Sequence, residues 1–150
     1  MMAIEVIALA GFVCGVLDLS VTSTLFVLKG GKLERLFQGI ASGALGNAAF
    51  TGGKRTAALG VLFHFVIALS WAGVYYVLGR QVAALLQYAV LSGLLFGAGV
   101  HLIMSLLVVP LSRVPKRTFS ASAFLTQLAI HTFFVGLPIA LVVRRFSGLP

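Results

Sequence analysis

The sequence predicts an all-α, polytopic membrane protein with four transmembrane helices and one short interfacial helix. Of its 150 residues, 60% are hydrophobic and only 9% are charged, and the mean hydropathy is +1.11. About a quarter of the residues in a soluble domain are charged, so the chain is too apolar for that class. Four apolar segments reach the roughly 20 residues that cross a bilayer as a helix. A lipid-exposed backbone must pair its polar groups internally, and the sequence lacks the alternation of a membrane barrel, so helices are expected.

The predicted segments form one four-helix transmembrane domain over residues 1–150, with spans at about 3–28, 56–78, 82–109 and 119–143. Residues 32–45 are too short and too polar to cross the membrane. Their apolar side chains recur at helical spacing, and these are Leu33, Leu36, Phe37, Ile40 and Ala44. Their polar side chains fall on other faces, and these are Lys32, Arg35, Gln38 and Ser42. The pattern predicts a helix that lies in the membrane interface.

The chain carries 11 Lys and Arg residues against three Asp and Glu residues. These basic residues occur at the ends of the apolar segments and do not cluster on one face. This distribution indicates that they set the membrane topology and contact lipid headgroups rather than bind nucleic acid. Eight lie in the first and third connections, namely Lys29, Lys32, Arg35, Lys54, Arg55, Arg113, Lys116 and Arg117. Three lie on the opposite side, namely Arg80, Arg144 and Arg145. The positive-inside rule therefore predicts a multi-pass protein with both termini outside the cytoplasm.

Each predicted span contains one ionisable residue in its interior: Asp18, His64, His101 and His131. Measured from the positively charged side, their depths differ by only about 8 Å at about 1.5 Å per residue. A charge facing lipid is costly, so these side chains are expected to turn inward and to form one polar layer near the midplane. Thr22 and Ser105 lie one turn from Asp18 and His101 on the same helix faces and extend this layer.

Several functions are compatible with a buried layer of three histidines and one carboxylate. It suits the movement of protons or a small solute, because histidine titrates near neutral pH. Metal binding by His64, His101, His131 and Asp18, or haem binding between two histidines, is an open alternative, although no cofactor motif is present. The third alternative is a network that only fixes helix register, in a structural or accessory subunit of a larger complex. The sequence lacks a nucleophile motif or carboxylate pair, so we expect no enzyme and no catalytic residue.

Small and aromatic residues predict how the helices pack. Glycines are four apart at Gly11 and Gly15, Gly39 and Gly43, and Gly93 and Gly97, which allows close helix approach within the chain or in a homo-oligomer. Trp71, Tyr75 and Tyr76 near the end of the second span are expected to anchor it at headgroup level. Pro138 is expected to bend the last span.

From His64 onward the chain resembles the YagU-like bacterial inner-membrane proteins. The matching features are "HFVIALSWAGVYY" from His64, "GLLFG" from Gly93 leading to "PLSRVP" at Pro110–Pro115, and His131 followed by Arg144 and Arg145. In the YagU-like proteins the histidine of the third span lies one turn nearer the Pro-Leu pair, at the position where this chain has Ser105. The resemblance implies a location in the bacterial inner membrane, and this largely uncharacterised family implies no reaction.

Overall fold

A computed structural model describes residues 1–116 and 118–148, all of which lie in helices, turns or irregular connections without a strand. These residues contain six α-helices, and a short 3-10 helix (Gly46–Phe50) lies between the second and the third: α1 (Ala3–Leu28), α2 (Leu33–Leu45), α3 (Gly53–Gln81), α4 (Ala83–Gln87), α5 (Ala89–Leu111) and α6 (Ala121–Phe146). α1, α3, α5 and α6 are long and apolar enough to cross a membrane. The predicted all-α polytopic fold is therefore confirmed. Arg117, which was counted among the basic residues of the third connection, lies outside the described residues.

The outer surface of the bundle is apolar, as a lipid-facing surface must be. Large side chains such as Phe12, Leu95, Leu106 and Leu125 are each at least 60% exposed. In water such a surface would aggregate, whereas in lipid it meets a solvent of the same polarity. The chain is an integral membrane protein.

α1 lies at the centre of the bundle and packs against α3 on one side and α6 on the other, while α5 packs against α6. Glycines permit these close approaches. A Cβ atom on Gly11 would lie 2.8 Å from the Cα of Leu69 on α3, and one on Gly93 would lie 3.0 Å from the carbonyl oxygen of Gly136 on α6. Gly15 and Gly97 make similar contacts, so these four glycines serve packing within the chain, whereas Gly39 faces open space.

The third span begins later than predicted. The predicted segment 82–109 is interrupted at Tyr88, which separates the short α4 from α5. The hydroxyls of Tyr75 and Ser92 donate to the carbonyl oxygen of Leu85, at 3.1 and 2.6 Å. These bonds supply partners to a backbone acceptor at the break.

The aromatic pattern predicted that Tyr75 and Tyr76 face lipid headgroups. They are instead buried in the bundle. The Tyr75 hydroxyl is 2.8 Å from that of Ser92 on α5, and its ring packs edge-on against Phe96. Trp71 also packs edge-on against Phe96. Aromatic side chains therefore join α3 to α5 at this end of the bundle.

α2 forms a helix almost where it was predicted, and it packs against the first half of α3. A Cβ atom on Gly60 would clash with the backbone carbonyl of Phe37, so the two backbones are in direct contact. The polar Gln38 and Ser42, which the pattern places on faces other than the apolar one, are buried. Gln38 Nε2 donates to the carbonyl oxygen of Gly53 at 3.2 Å, and this bond helps to compensate for its burial.

Candidate functional site

Asp18 on α1 and His64 on α3 meet inside the bundle, as the predicted polar layer requires. His64 Nδ1 lies 3.8 Å from Asp18 Oδ2, and both side chains are only 13% exposed. The other ring nitrogen, Nε2, is 2.9 Å from the carbonyl oxygen of Gly15. A Cβ atom on Gly15 would lie 2.8 Å from the ring of Phe65, so the glycine lets α3 come close enough for this bond.

The Gly15 contact determines where His64 carries its first proton. A carbonyl oxygen only accepts, so Nε2 must donate, and in a neutral imidazole Nδ1 then holds a lone pair. That lone pair would face the carboxylate of Asp18. One further proton, on Nδ1 as an imidazolium or on Asp18 as a neutral acid, removes this repulsion. A proton placed between these two atoms would join α1 to α3 through an N–H···O or O–H···N contact.

The separation within this pair allows proton transfer only after a small rearrangement. Direct N–H···O bonds span about 2.7–3.2 Å, which is shorter than the 3.8 Å between Nδ1 and Oδ2. The two atoms must approach each other or use a bridging water. Thr22 Oγ1 lies 3.5 Å from Asp18 Oδ1 and places a hydroxyl beside the carboxylate, as predicted from their spacing.

The other two predicted layer residues, His101 on α5 and His131 on α6, form a second pair. Their ring centroids are 5.1 Å apart. His131 Nδ1 donates to the carbonyl oxygen of Gln127 at 2.8 Å, so Nε2 is the acceptor of the neutral ring. His101 is only 4% exposed, packs edge-on against Phe124, and has Ser105 Oγ 3.4 Å from its Nε2.

The predicted single layer is thus divided into two pairs, and members of both line one cavity. Asp18, His64 and His131 line this cavity, whereas His101, whose ring contacts that of His131, does not. No three His, Cys, Asp or Glu side chains among residues 1–116 and 118–148 form a group that could hold a metal ion. Metal and haem binding at these residues stay predictions without a shared ligand set to support them.

The cavity has a volume of about 280 Å³ and lies between α1, α3, α5 and α6, with α2 at one end. Its polar lining side chains are Asp18, Thr22, His64, Gln127 and His131. Its apolar lining side chains are Leu19, Leu36, Ile40, Ile67, Ala68, Trp71, Val100, Met104 and Val135, and Cys14 and Gly15 complete it. A mostly apolar cavity with a few convergent polar groups is typical of a small-molecule site, at the small end of the usual range.

Sequence reasoning missed Gln127 and Trp71 as parts of this site. Gln127 is polar and lies one turn before His131 on the same helix face, a signal that could have found it. Trp71 lies seven residues after His64, which also places it on the same face of α3. Because aromatic residues near the end of a span often anchor it at headgroup level, Trp71 was interpreted as an anchor and not as part of the cavity wall.

Prolines shape both helices of the second pair. Pro110 offers no N–H to the carbonyl of Leu106, and Pro138 offers none to that of Phe134. Wider π-helical turns precede each proline, at Met104–Val108 in α5 and at His131–Gly136 in α6. Such turns often occur at functional sites. One of them begins at His131 and the other directly follows the segment that carries His101.

No protein-family model matches this chain, and no significant match is found among curated proteins or among solved structures. The resemblance to the YagU-like proteins therefore stays a prediction.

Proposed function

We propose that this integral membrane protein binds and releases protons at the His64–Asp18 pair and moves protons or a small solute through the adjoining cavity. The observation that carries the proposal is the bond between His64 Nε2 and the Gly15 carbonyl, because it leaves Nδ1 and Asp18 to share one exchangeable proton. Both groups line the cavity, so a proton leaving the pair has an adjoining space to enter. The proposed activity is not enzymatic.

The distribution of positive charge supports an orientation for this movement. The third connection contacts α2, since the backbone N–H of Arg113 donates to the Gly43 carbonyl oxygen at 3.0 Å and its guanidinium donates to that of Ala44 at 3.4 Å. The two most basic connections are therefore at the same end of the bundle. With the positive-inside rule, we infer that this end faces the cytoplasm of a bacterial cell and that both termini lie outside it.

Proton flux into proteoliposomes tests the proposal. A potassium gradient with valinomycin supplies the driving force, and a trapped dye reports the internal pH. We expect the wild-type protein to acidify the vesicles, and we expect Asp18→Asn and His64→Leu to reduce this flux to the level of protein-free vesicles. Glu5→Gln is the matched control, because it removes a carboxylate at the exposed start of α1.

The competing function, a structural or accessory subunit, gives a different result. In that case Asp18→Asn and His64→Leu would lower the stability of the protein and leave the vesicle flux unchanged. A wild-type flux equal to that of both variants would refute the transport proposal. A homo-oligomer or a larger complex would have to use faces other than those around Gly11, Gly15, Gly93 and Gly97, which are filled within the chain.

A further inference from the structure

The charges around the cavity indicate which sign of ligand it accepts. Asp18 is the only carboxylate among its described lining residues, and these include no Lys or Arg. The basic side chains that the structure describes lie at the helix ends and in the connections. A ligand inside the cavity therefore meets one anionic group within mostly apolar walls.

We infer that the cavity binds a small lipophilic ammonium ion, which takes the place of the exchangeable proton beside Asp18. This inference rests on the proposed proton site and names the class of solute that exchanges with the proton. An anion would meet the Asp18 carboxylate with no neighbouring cation from Lys or Arg. A neutral apolar molecule would leave the polar groups of this wall without a partner.

The recognition elements for such a cation lie on different walls. Trp71 on α3 lines the cavity, and tryptophan is the aromatic side chain that attracts cations best. Asp18 on α1 supplies the opposite charge, and Thr22 stands beside it. His131 on α6 bonds through Nδ1 to Gln127, so its Nε2 is an acceptor for an ammonium N–H. The volume of about 280 Å³ favours an ion with a single ring or a few short alkyl groups over a drug-sized molecule.

Charge balance requires the incoming cation to expel the proton. With the proton bound, the His64–Asp18 pair is neutral, and a cation added to it would leave a net positive charge in an apolar cavity. When the cation pairs with Asp18, the proton on His64 Nδ1 leaves to water, and the cavity stays neutral. The other titratable groups that line the cavity are Cys14 on α1 and His131 on α6, and His101 on α5 contacts His131 without lining the cavity, while α2 contributes only Leu36 and Ile40 to the wall.

Titration calorimetry with benzyldimethylammonium, which carries one N–H, and the purified full chain in an uncharged detergent tests this inference. Repeating the titration in two buffers with different ionisation enthalpies counts the protons released. We expect saturable binding with about one proton released per cation, and an affinity that rises by up to about tenfold per pH unit while the pair is protonated. Asp18→Asn should weaken binding by at least about tenfold, and benzenesulfonate should not bind.

Trp71→Leu keeps the inference falsifiable if Asp18→Asn does not fold. It should weaken binding several-fold, and Trp71→Phe should restore part of the loss. Binding that is independent of pH, that persists in Asp18→Asn, or that is equally strong for benzenesulfonate would overturn the inference. If the protein shows Asp18-dependent proton flux but does not bind the cation, this inference alone is overturned. If it binds the cation but shows no such flux, the proposed proton movement alone is overturned.

Discussion

Gly97→Ala should destabilise the bundle at the point where α5 crosses α6 beside the second histidine pair. A Cβ atom at this position would lie 2.8 Å from the Cα of Thr132 and 2.9 Å from the carbonyl carbon of His131, both of which are backbone atoms. Carbon atoms pack comfortably at about 3.5–4.0 Å, so α6 must retreat by roughly 1 Å. Inserting a methyl group into a well-packed interior typically costs about 1–3 kcal/mol.

Gly99→Ala is the matched control, because it lies on the same helix and a Cβ atom there would have no neighbour within 4 Å. The fluorescence of Trp71, the only tryptophan, reports unfolding in mixed detergent micelles, since its ring packs against Phe96 on α5. We expect Gly97→Ala to lower the free energy of unfolding by about 1–3 kcal/mol. We expect Gly99→Ala to leave it unchanged or slightly higher, because alanine is the better helix former. Equal stability of the two variants would refute the packing of α5 on α6.

Three further changes test other contacts. Tyr75→Phe should lower the free energy of unfolding by about 0.5–1.5 kcal/mol, because it removes the hydroxyl that joins α3 to Ser92 and to the α4 break. The hydroxyl of Tyr76 bonds to no residue in the described part of the chain, so Tyr76→Phe should lower this free energy by less in the same assay. Gly60→Ala should push α2 off α3 and speed tryptic cleavage at Arg35, whereas Gly39→Ala should not, and equal cleavage rates would contradict the docking of α2. Cys14 is fully buried, so labelling in intact micelles by a fluorescein maleimide, which is too large for the cavity of about 280 Å³, should be much slower than in unfolded protein, and fast labelling would contradict its place in the core.

The sequence predicted most of the fold, because hydropathy and helical spacing report directly on lipid exposure and helix length. It missed the break at Tyr88, since the bonds that satisfy Leu85 there come from side chains on other helices. It also predicted that Asp18 and His64 turn inward. The division of the layer into two pairs depends on the rotation of each helix about its axis. Contacts at Gly15 and Gly97 and the turns before Pro110 and Pro138 set that rotation, and helical periodicity does not reveal them.

The protonation of His64 is the most direct test of the central claim that it shares one exchangeable proton with Asp18. Nitrogen-15 NMR of ring-labelled histidine in lipid bilayers distinguishes the two ring nitrogens, and His64→Leu assigns the signal. The bond to the Gly15 carbonyl oxygen requires a proton on Nε2 of His64, while His131, bonded through Nδ1 to Gln127, serves as an internal reference of the opposite tautomer. We further expect that Nδ1 of His64 either carries a proton or accepts a hydrogen bond from a protonated Asp18. A His64 ring with a bare Nε2, or one with a bare Nδ1 that accepts no hydrogen bond from Asp18, would contradict the claim.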